Sequence, residues 1–240
     1  MTQQIQTNLI RDLADLQSIK SRVRTDDHPG GNRSQTTVRL CMGGGCLSSG
    51  SEKIKNALKS ALAEKGLEHS VKIRECGCMG PCSGGPLVVM EDDQTMYRGV
   101  TPEDMQTIVE KHLLKGQPVD NLMWQDAGDG RRQRTESDIR FFDGQEKVVL
   151  RNCGRIIPTS IEEYIGAGGF FALEKILTGM TPEQVIKTLD DAGLRGRGGA
   201  GFPTAMKWKL AHQAPGKTKY ILCNADEGDP GAFMDRSVLE

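Results

Sequence analysis

Seven cysteines lie at positions 41, 46, 76, 78, 82, 153 and 223. Five of them fall between residues 41 and 82, and a cluster of that density in a chain of this size favours a metal or redox centre over a disulfide framework. Cys41-Met42-Gly43-Gly44-Gly45-Cys46 spells C-x4-C, and Cys78-Met79-Gly80-Pro81-Cys82 spells C-x3-C. Four thiolates from two such pairs suit a zinc ion or an iron–sulfur cluster, and spacing alone leaves both open. The three successive glycines of the first pair let the backbone turn sharply and bring its N–H groups close to bridging sulfides. Cys76 falls outside this spacing and reads as a strand-end cysteine or as a thiol competing for a ligand position. Cys153 and Cys223 have no metal-spaced partner and read as structural.

A second concentration of chemistry runs from Gly193 to Pro203. Gly196, Gly198 and Gly201 make G-x-G-x-x-G, five glycines fall within nine residues, and Arg195, Arg197 and Lys207 add positive charge. Glycines permit close backbone approach, and the N-terminus of a following helix attracts phosphate. A dinucleotide fingerprint should follow a strand, whereas this loop follows a helical stretch, so the motif alone stays ambiguous between a nucleotide loop and a turn. Farther on, Asn224-Ala225-Asp226-Glu227-Gly228-Asp229 follows an apolar run at Tyr220-Ile221-Leu222-Cys223. Side chains of that kind beyond a strand end can bond ribityl hydroxyls or a flavin edge, or they can simply cap a helix and form a turn.

The elements that must position these residues are legible from periodicity. Residues 5–24 read as an amphipathic helix and 25–36 as a linker. Strands are expected at 38–40, 70–74, 87–90 and 96–100. Helices are expected at 51–65, ended by Gly66, and at 101–114, where Thr101 caps and Pro102 fits the first turn. This β-α-β-β-β-α order, with cysteines at loop tips just after strands, fits a thioredoxin-like sheet covered by two helices. Residues 118–145 read as a polar connector whose charges at 126–132 are solvated. A second unit from 146 onward is expected to hold a weak strand at 147–150 and helices near 161–166, 170–178 and 182–192. Ser160 and Thr181 supply its capping patterns. A further helix over 203–213 and a buried strand at 220–223 would follow. A parallel α/β domain needs more strands than these, so the sequence reads as the front of something longer.

Taken together, these segments resemble a known family. Residues 37–117 are similar to the thioredoxin-like [2Fe–2S] ferredoxin domain, through the C-x4-C before a helix and Gly77-Cys78-Met79-Gly80-Pro81-Cys82 after the next strand. Residues 147–153, 193–208 and 223–237 resemble the flavin- and NADH-binding subunit of complex I-type dehydrogenases and NAD-linked hydrogenases. The fold class implied is α/β: a thioredoxin-like ferredoxin domain followed by the incomplete start, 146–240, of an FMN/NAD-binding domain. The resemblance implies Cys41, Cys46, Cys78 and Cys82 as cluster ligands. It implies that Gly196, Gly198, Gly199 and Lys207, with Arg197 and Gly201 in the same loop, hold FMN phosphate or nucleotide. Asn224, Asp226 and Glu227 would contact the flavin, and Phe202 and Asp229 would lie near NAD(P)H. A [4Fe–4S] centre would belong to a later part of such a protein, and its partners would be iron–sulfur subunits of a hydrogenase, formate dehydrogenase or complex I-like assembly. The implied activity is NAD(P)H dehydrogenase or diaphorase, with these 240 residues expected to be inactive alone. The runner-up is a non-catalytic [2Fe–2S] electron-transfer module.

Composition narrows the setting. Net charge is −1, with 26% charged residues of both signs and 37% hydrophobic residues. Nothing there signals nucleic acid. No apolar run reaches spanning length and no secretory signal opens the chain, so a cytoplasmic protein without direct membrane insertion is expected.

Overall fold

The computed structural model describes residues 10–27, 36–125, 128, 130–197 and 200–239. The chain divides into two compact units, one of Lys20–Ala167 with Asp226–Glu240, the other of Met1–Ile19 with Gly168–Ala225. Helix α1 spans Leu13–Asp27. It starts later than the pattern over 5–24 suggested and runs into the stretch expected as linker, while residues 1–9 and 28–35 lie outside the described ones.

The larger unit is built on a four-stranded sheet of β1 (Thr36–Cys41), β2 (Val71–Cys76), β3 (Val88–Met90) and β4 (Thr95–Tyr97) in the order β2-β1-β3-β4. β1 and β2 run parallel, which puts Cys41 opposite Cys76, and the other pairs are antiparallel. A crossover through α3 (Ser51–Glu64) joins the parallel pair, as parallel strands require. Gly66 stops α3 by adopting φ +65°, and Leu67 N–H then donates to Leu62 O at 2.8 Å, the left-handed C-terminal stop expected of glycine. α4 (Asp104–Ile108) follows the sheet and continues as a wider, π-type turn over Val109–Leu113. Thr101 does not cap it in the expected sense: its N–H and hydroxyl both donate to Asp104 Oδ2 at 2.9 Å, so the acid reaches back and helix begins at Asp104.

Side chains alternate across the strands. Val38, Leu40, Val88 and Tyr97 face α3 and α4 and meet Ile54, Leu58, Met105 and Ile108 in the main core. Tyr97 is wholly buried, and its hydroxyl accepts from Val119 N–H at 2.8 Å and bonds His112 Nδ1 at 2.6 Å; His112 Nε2 bonds Asp93 at 3.0 Å. The opposite face carries Cys41, Cys76, Val89 and Met96, which pack with Ile139, Trp124 and Phe142. Those last three come from the segment expected to be a connector: its charged stretch is exposed at 128 and 130–132, as expected, but its apolar residues cover the second face. It contributes a two-stranded ribbon, β5 (Trp124–Gln125) with β6 (Arg132–Gln133). Residues 126, 127 and 129 within it lie outside the described ones. A polar composition misled here because a few well-spaced apolar side chains suffice to cover one face of a small sheet.

Two buried arginines also occupy that face. Arg39 and Arg74 both approach Glu91, at 3.7 and 3.5 Å, and Arg74 lies 3.8 Å from Glu163 of α5 (Ile161–Gly166). The expected strand at 147–150 is absent: the stretch is a turn, with Val148 and Val149 exposed. Ser160 caps α5 as expected, accepting from Glu163 N–H at 3.2 Å.

The unit containing Gly168–Ala225 is helical: α6 (Phe171–Gly179), α7 (Pro182–Asp191) and α8 (Thr204–Gln213). Thr181 and Gln184 form the expected capping box at α7, with Thr181 N–H donating to Gln184 Oε1 at 2.8 Å and Gln184 N–H to Thr181 Oγ1 at 3.3 Å. The strand expected at 220–223 is not formed: Ile221 is 100% exposed and Tyr220 82%. A strand needs a neighbour for its backbone groups, and no strand is described within residues 168–225. Among the described residues no helix is long and apolar enough to cross a membrane.

Candidate functional site

The parallel pairing of β1 and β2 delivers both cysteine loops to one end of the sheet. Cys41 is the last residue of β1. Cys46 lies not in an open loop, as its glycines suggested, but inside a short helix, α2 (Gly44–Ser48), wound from those glycines. Cys78 and Cys82 bracket the turn after β2. Cys41 is in hydrogen-bonding contact with Cys46 and with Cys78, and the Cys78 and Cys82 sulfurs lie 3.7 Å apart. Cys41, Cys46 and Cys76 are buried and Cys82 is exposed.

The loops touch so closely that side chains are excluded between them. A Cβ on Gly43 would sit 2.9 Å from both Cα and Cβ of Cys78, and one on Gly85 would sit 2.9 Å from the Cys46 sulfur. Glycines at 43, 45 and 85 thus form a cradle in which backbone comes close to Cys78, Cys82 and Cys46. Among the described residues no three metal-ligating side chains close on a single ion.

Electrostatics separate the thiols. The hydrogen bond to Cys46, with burial, pushes Cys41 up to about 11, and accepting that bond lowers Cys46. Cys78 is raised, first by its bond to Cys41 and then by burial. Cys76 is set apart: burial pushes it up to about 12, and its thiol donates to Leu40 O at 3.3 Å. That is the strand-end reading of Cys76. Cys153 donates to Ser237 O at 2.9 Å, and Cys223 is exposed.

The glycine loop of 193–203 is closed by its own backbone. Gly196 N–H donates to Phe202 O at 2.9 Å and Thr204 N–H to Leu194 O at 3.0 Å. Its arginines brace it: Arg195 donates to Gly201 O at 3.1 Å, and Arg197 to Arg195 O at 3.0 Å. Gly198 and Gly199 lie outside the described residues. Beside the loop is a cavity of about 990 Å³. Gly196, Phe202 and Lys207 line it, together with Thr204, Trp208 and Tyr220, which residue type and spacing had not singled out. The spacing of Thr204, Lys207, Trp208 and Ala211 along α8 was the available signal, since it marks one helical face. The cavity's other wall is apolar, from Ile176, Leu177, Val185 and Ile186.

Asn224 lies next to the end of this unit, at Ala225. Asp226, Glu227 and Asp229 belong to the larger one. There, Glu227 accepts from the Asp235 and Arg236 N–H groups at 2.7 and 3.3 Å, at the start of α9 (Met234–Leu239). The capping alternative for that acid is the one its geometry displays.

A sheet of this order with four cysteines at one end defines a small iron–sulfur or metal-binding module of thioredoxin-like type. Comparison with known proteins makes the class specific. Residues 28–113 match the thioredoxin-like [2Fe–2S] ferredoxin family, and residues 189–240 match the FMN-binding domain named for Nuo51. The chain is similar to these families over those two stretches. Similar proteins include the NADP-reducing hydrogenase subunit HndC of Solidesulfovibrio fructosivorans, 54% identical over 96 residues, which is 40% of this chain and 19% of that protein. An NADH-quinone oxidoreductase subunit of Aquifex aeolicus is 57% identical over 93 residues, 39% of this chain and 21% of that protein. The aligned stretches thus span about a fifth of these relatives' length. Among solved structures, a thioredoxin-like [2Fe–2S] ferredoxin of Aquifex aeolicus is 33% identical, covering 37% of this chain and 89% of that one, with a TM-score of 0.35.

Proposed function

We propose that this chain is part of an NAD(P)H-oxidising flavo-iron–sulfur subunit, with a [2Fe–2S] centre on Cys41, Cys46, Cys78 and Cys82 and part of an FMN site at the 193–207 loop. The observation that carries the reading is that parallel strand pairing brings four cysteines on two separate loops to one sheet end, where the loops meet through glycines. Zinc needs four thiolates but no such cradle; bridging sulfides do need close backbone. Buried Cys41 and Cys46 would be the inner ligands, and exposed Cys82 marks the edge from which electrons are exchanged with a partner.

In the second region, Lys207 and the Thr204 hydroxyl at the start of α8 face the cavity, where positive charge and helix N–H groups favour phosphate. Phe202 and Trp208 supply ring faces, and the apolar wall offers a surface on which a ring system can pack. Asn224, Asp226, Glu227 and Asp229 are the polar residues proposed for flavin and nicotinamide nucleotide. FMN, when bound, accepts hydride from NAD(P)H and releases electrons one at a time. The names of the relatives support iron–sulfur subunits of a hydrogenase or complex I-like assembly as partners.

The test is to purify the chain without oxygen and measure iron, acid-labile sulfide, zinc and flavin together. Iron and sulfide in equal amounts, both lost in Cys78→Ser, are expected. Zinc without sulfide rejects the cluster. Sulfide without flavin rejects the FMN half and leaves an electron carrier, the reading that the unformed strand at 220–223 favours.

A further inference from the structure

Arg236 lies across Gly44, midway between Cys41 and Cys46. A Cβ at residue 44 would run into Nη2 and Cζ of the arginine, so the guanidinium occupies the space a side chain there would take. Glu227 caps the helix that carries this arginine by accepting from the Asp235 and Arg236 backbone N–H groups. The next residue, Ser237, offers its carbonyl to the Cys153 thiol at 2.9 Å. Beside Cys153, Gly154 presses on the other cysteine loop: a Cβ there would meet Met79 Cα at 2.8 Å and Cys78 O at 3.1 Å. The Gly154 carbonyl also accepts from the Arg39 guanidinium. Both cysteine loops are therefore gripped by one connected pair of segments, 153–154 and 236–237.

We propose that Arg236 is a positioning and charge-setting residue for the iron–sulfur centre, raising its reduction potential and tying the stretch that matches the FMN-binding family to the Cys41–Cys46 loop. This rests on the ferredoxin reading of the four cysteines. Potential in such centres follows local charge, hydrogen bonding and exposure. A guanidinium is charged at all working pH values, and a fixed positive charge favours the state holding the extra electron. Arg236 is exposed, so salt screens its effect.

The experiment is a dithionite titration of the cluster-loaded chain with redox dyes, after iron and sulfide have been quantified. Arg236→Gln should shift the reduction equilibrium against the reduced form by up to about tenfold, which is about 59 mV for a one-electron couple. Arg236→Lys should recover part of the shift. Gly44→Ala keeps the arginine but displaces it, and should shift the potential in the same direction, with the double variant falling short of the sum. An unchanged potential in Arg236→Gln or, should that variant fail to load, in Gly44→Ala overturns the proposal. Wild-type protein without labile sulfide overturns the ferredoxin reading itself, so the two failures are distinct.

Discussion

Residues 20–167 and residues 168–225 both carry well-marked helices, yet they treat apolar side chains in opposite ways. In the first, Leu58 of α3 is fully buried against a sheet whose two faces are both covered. In the second, Leu177 of α6 is 76% exposed, and the apolar run at 220–222 faces solvent. The helices of the second region owe their ends to local devices, such as the Thr181 capping box and Pro182 in the first turn of α7. Helix ends can be specified by a few neighbouring residues, whereas burial requires partners brought from elsewhere in the chain. The two candidate sites differ accordingly. The cysteine site is fixed by strand pairing, with sulfurs in contact; the glycine loop is fixed by its own hydrogen bonds, beside a cavity whose apolar wall is open.

The comparison breaks most visibly in the core. Leu58→Ala should destabilise the protein by about 2–5 kcal/mol, the usual range for a large-to-small change at a buried site. Leu177→Ala should stay within about 0.5 kcal/mol. Urea unfolding of both variants checks this, and equal losses would mean that 168–225 is as firmly packed as the sheet. Next in size is Thr181→Ala, which removes the capping box and should cost about 1 kcal/mol. The loss should be confined to amide protection over 182–191, and a drop in protection across the sheet would show the two regions to be coupled.

The smallest effect is a pH dependence of the larger unit alone. Burial pushes the Asp93 carboxyl up, but hydrogen bonds from Thr95 and the neighbouring His112 and Arg134 outweigh it, leaving the group below its ordinary value of 3.8. Thr95 N–H donates to Asp93 Oδ1 at 3.0 Å, and Arg134 donates to Oδ2. A carboxyl with a depressed folded value adds stability that is fully present above its unfolded value and is lost as pH falls through the folded one. The urea midpoint should therefore fall as pH drops below about 5 and on through the lowered folded value, and Asp93→Asn should flatten that fall. An equal slope in the variant would assign the acid sensitivity to other carboxyls.

How far these features could be read beforehand depended on the range of the interaction behind them. Helices at 51–65, 161–166 and 182–192 were legible because their caps and apolar spacing lie within a few residues. The β-α-β-β-β-α order was legible for the same reason, and with it the delivery of both cysteine pairs to one sheet end. The short helix holding Cys46 was not, because three successive glycines have low helix propensity and the turn forms only where the cysteine loops pack together. Trp124, Ile139 and Phe142 were read as connector because their spacing follows no single period; they come together only by crossing the sheet's second face.

Legible in the sequence alone were which residues could ligate, the caps at Ser160 and Thr181, and which families the two stretches resemble. These are matters of residue type and short spacing. Only the tertiary structure decided that Cys76 stays on the sheet while Cys41 joins the cradle, although the two are register partners, and that Arg236 rests on Gly44 some 190 residues away in the chain (from 44 to 236). The strand expected at 220–223 shows the same division from the other side. Its apolar residues are strand-like in type, but a strand exists only where a neighbour accepts its hydrogen bonds, and that is a property of the fold.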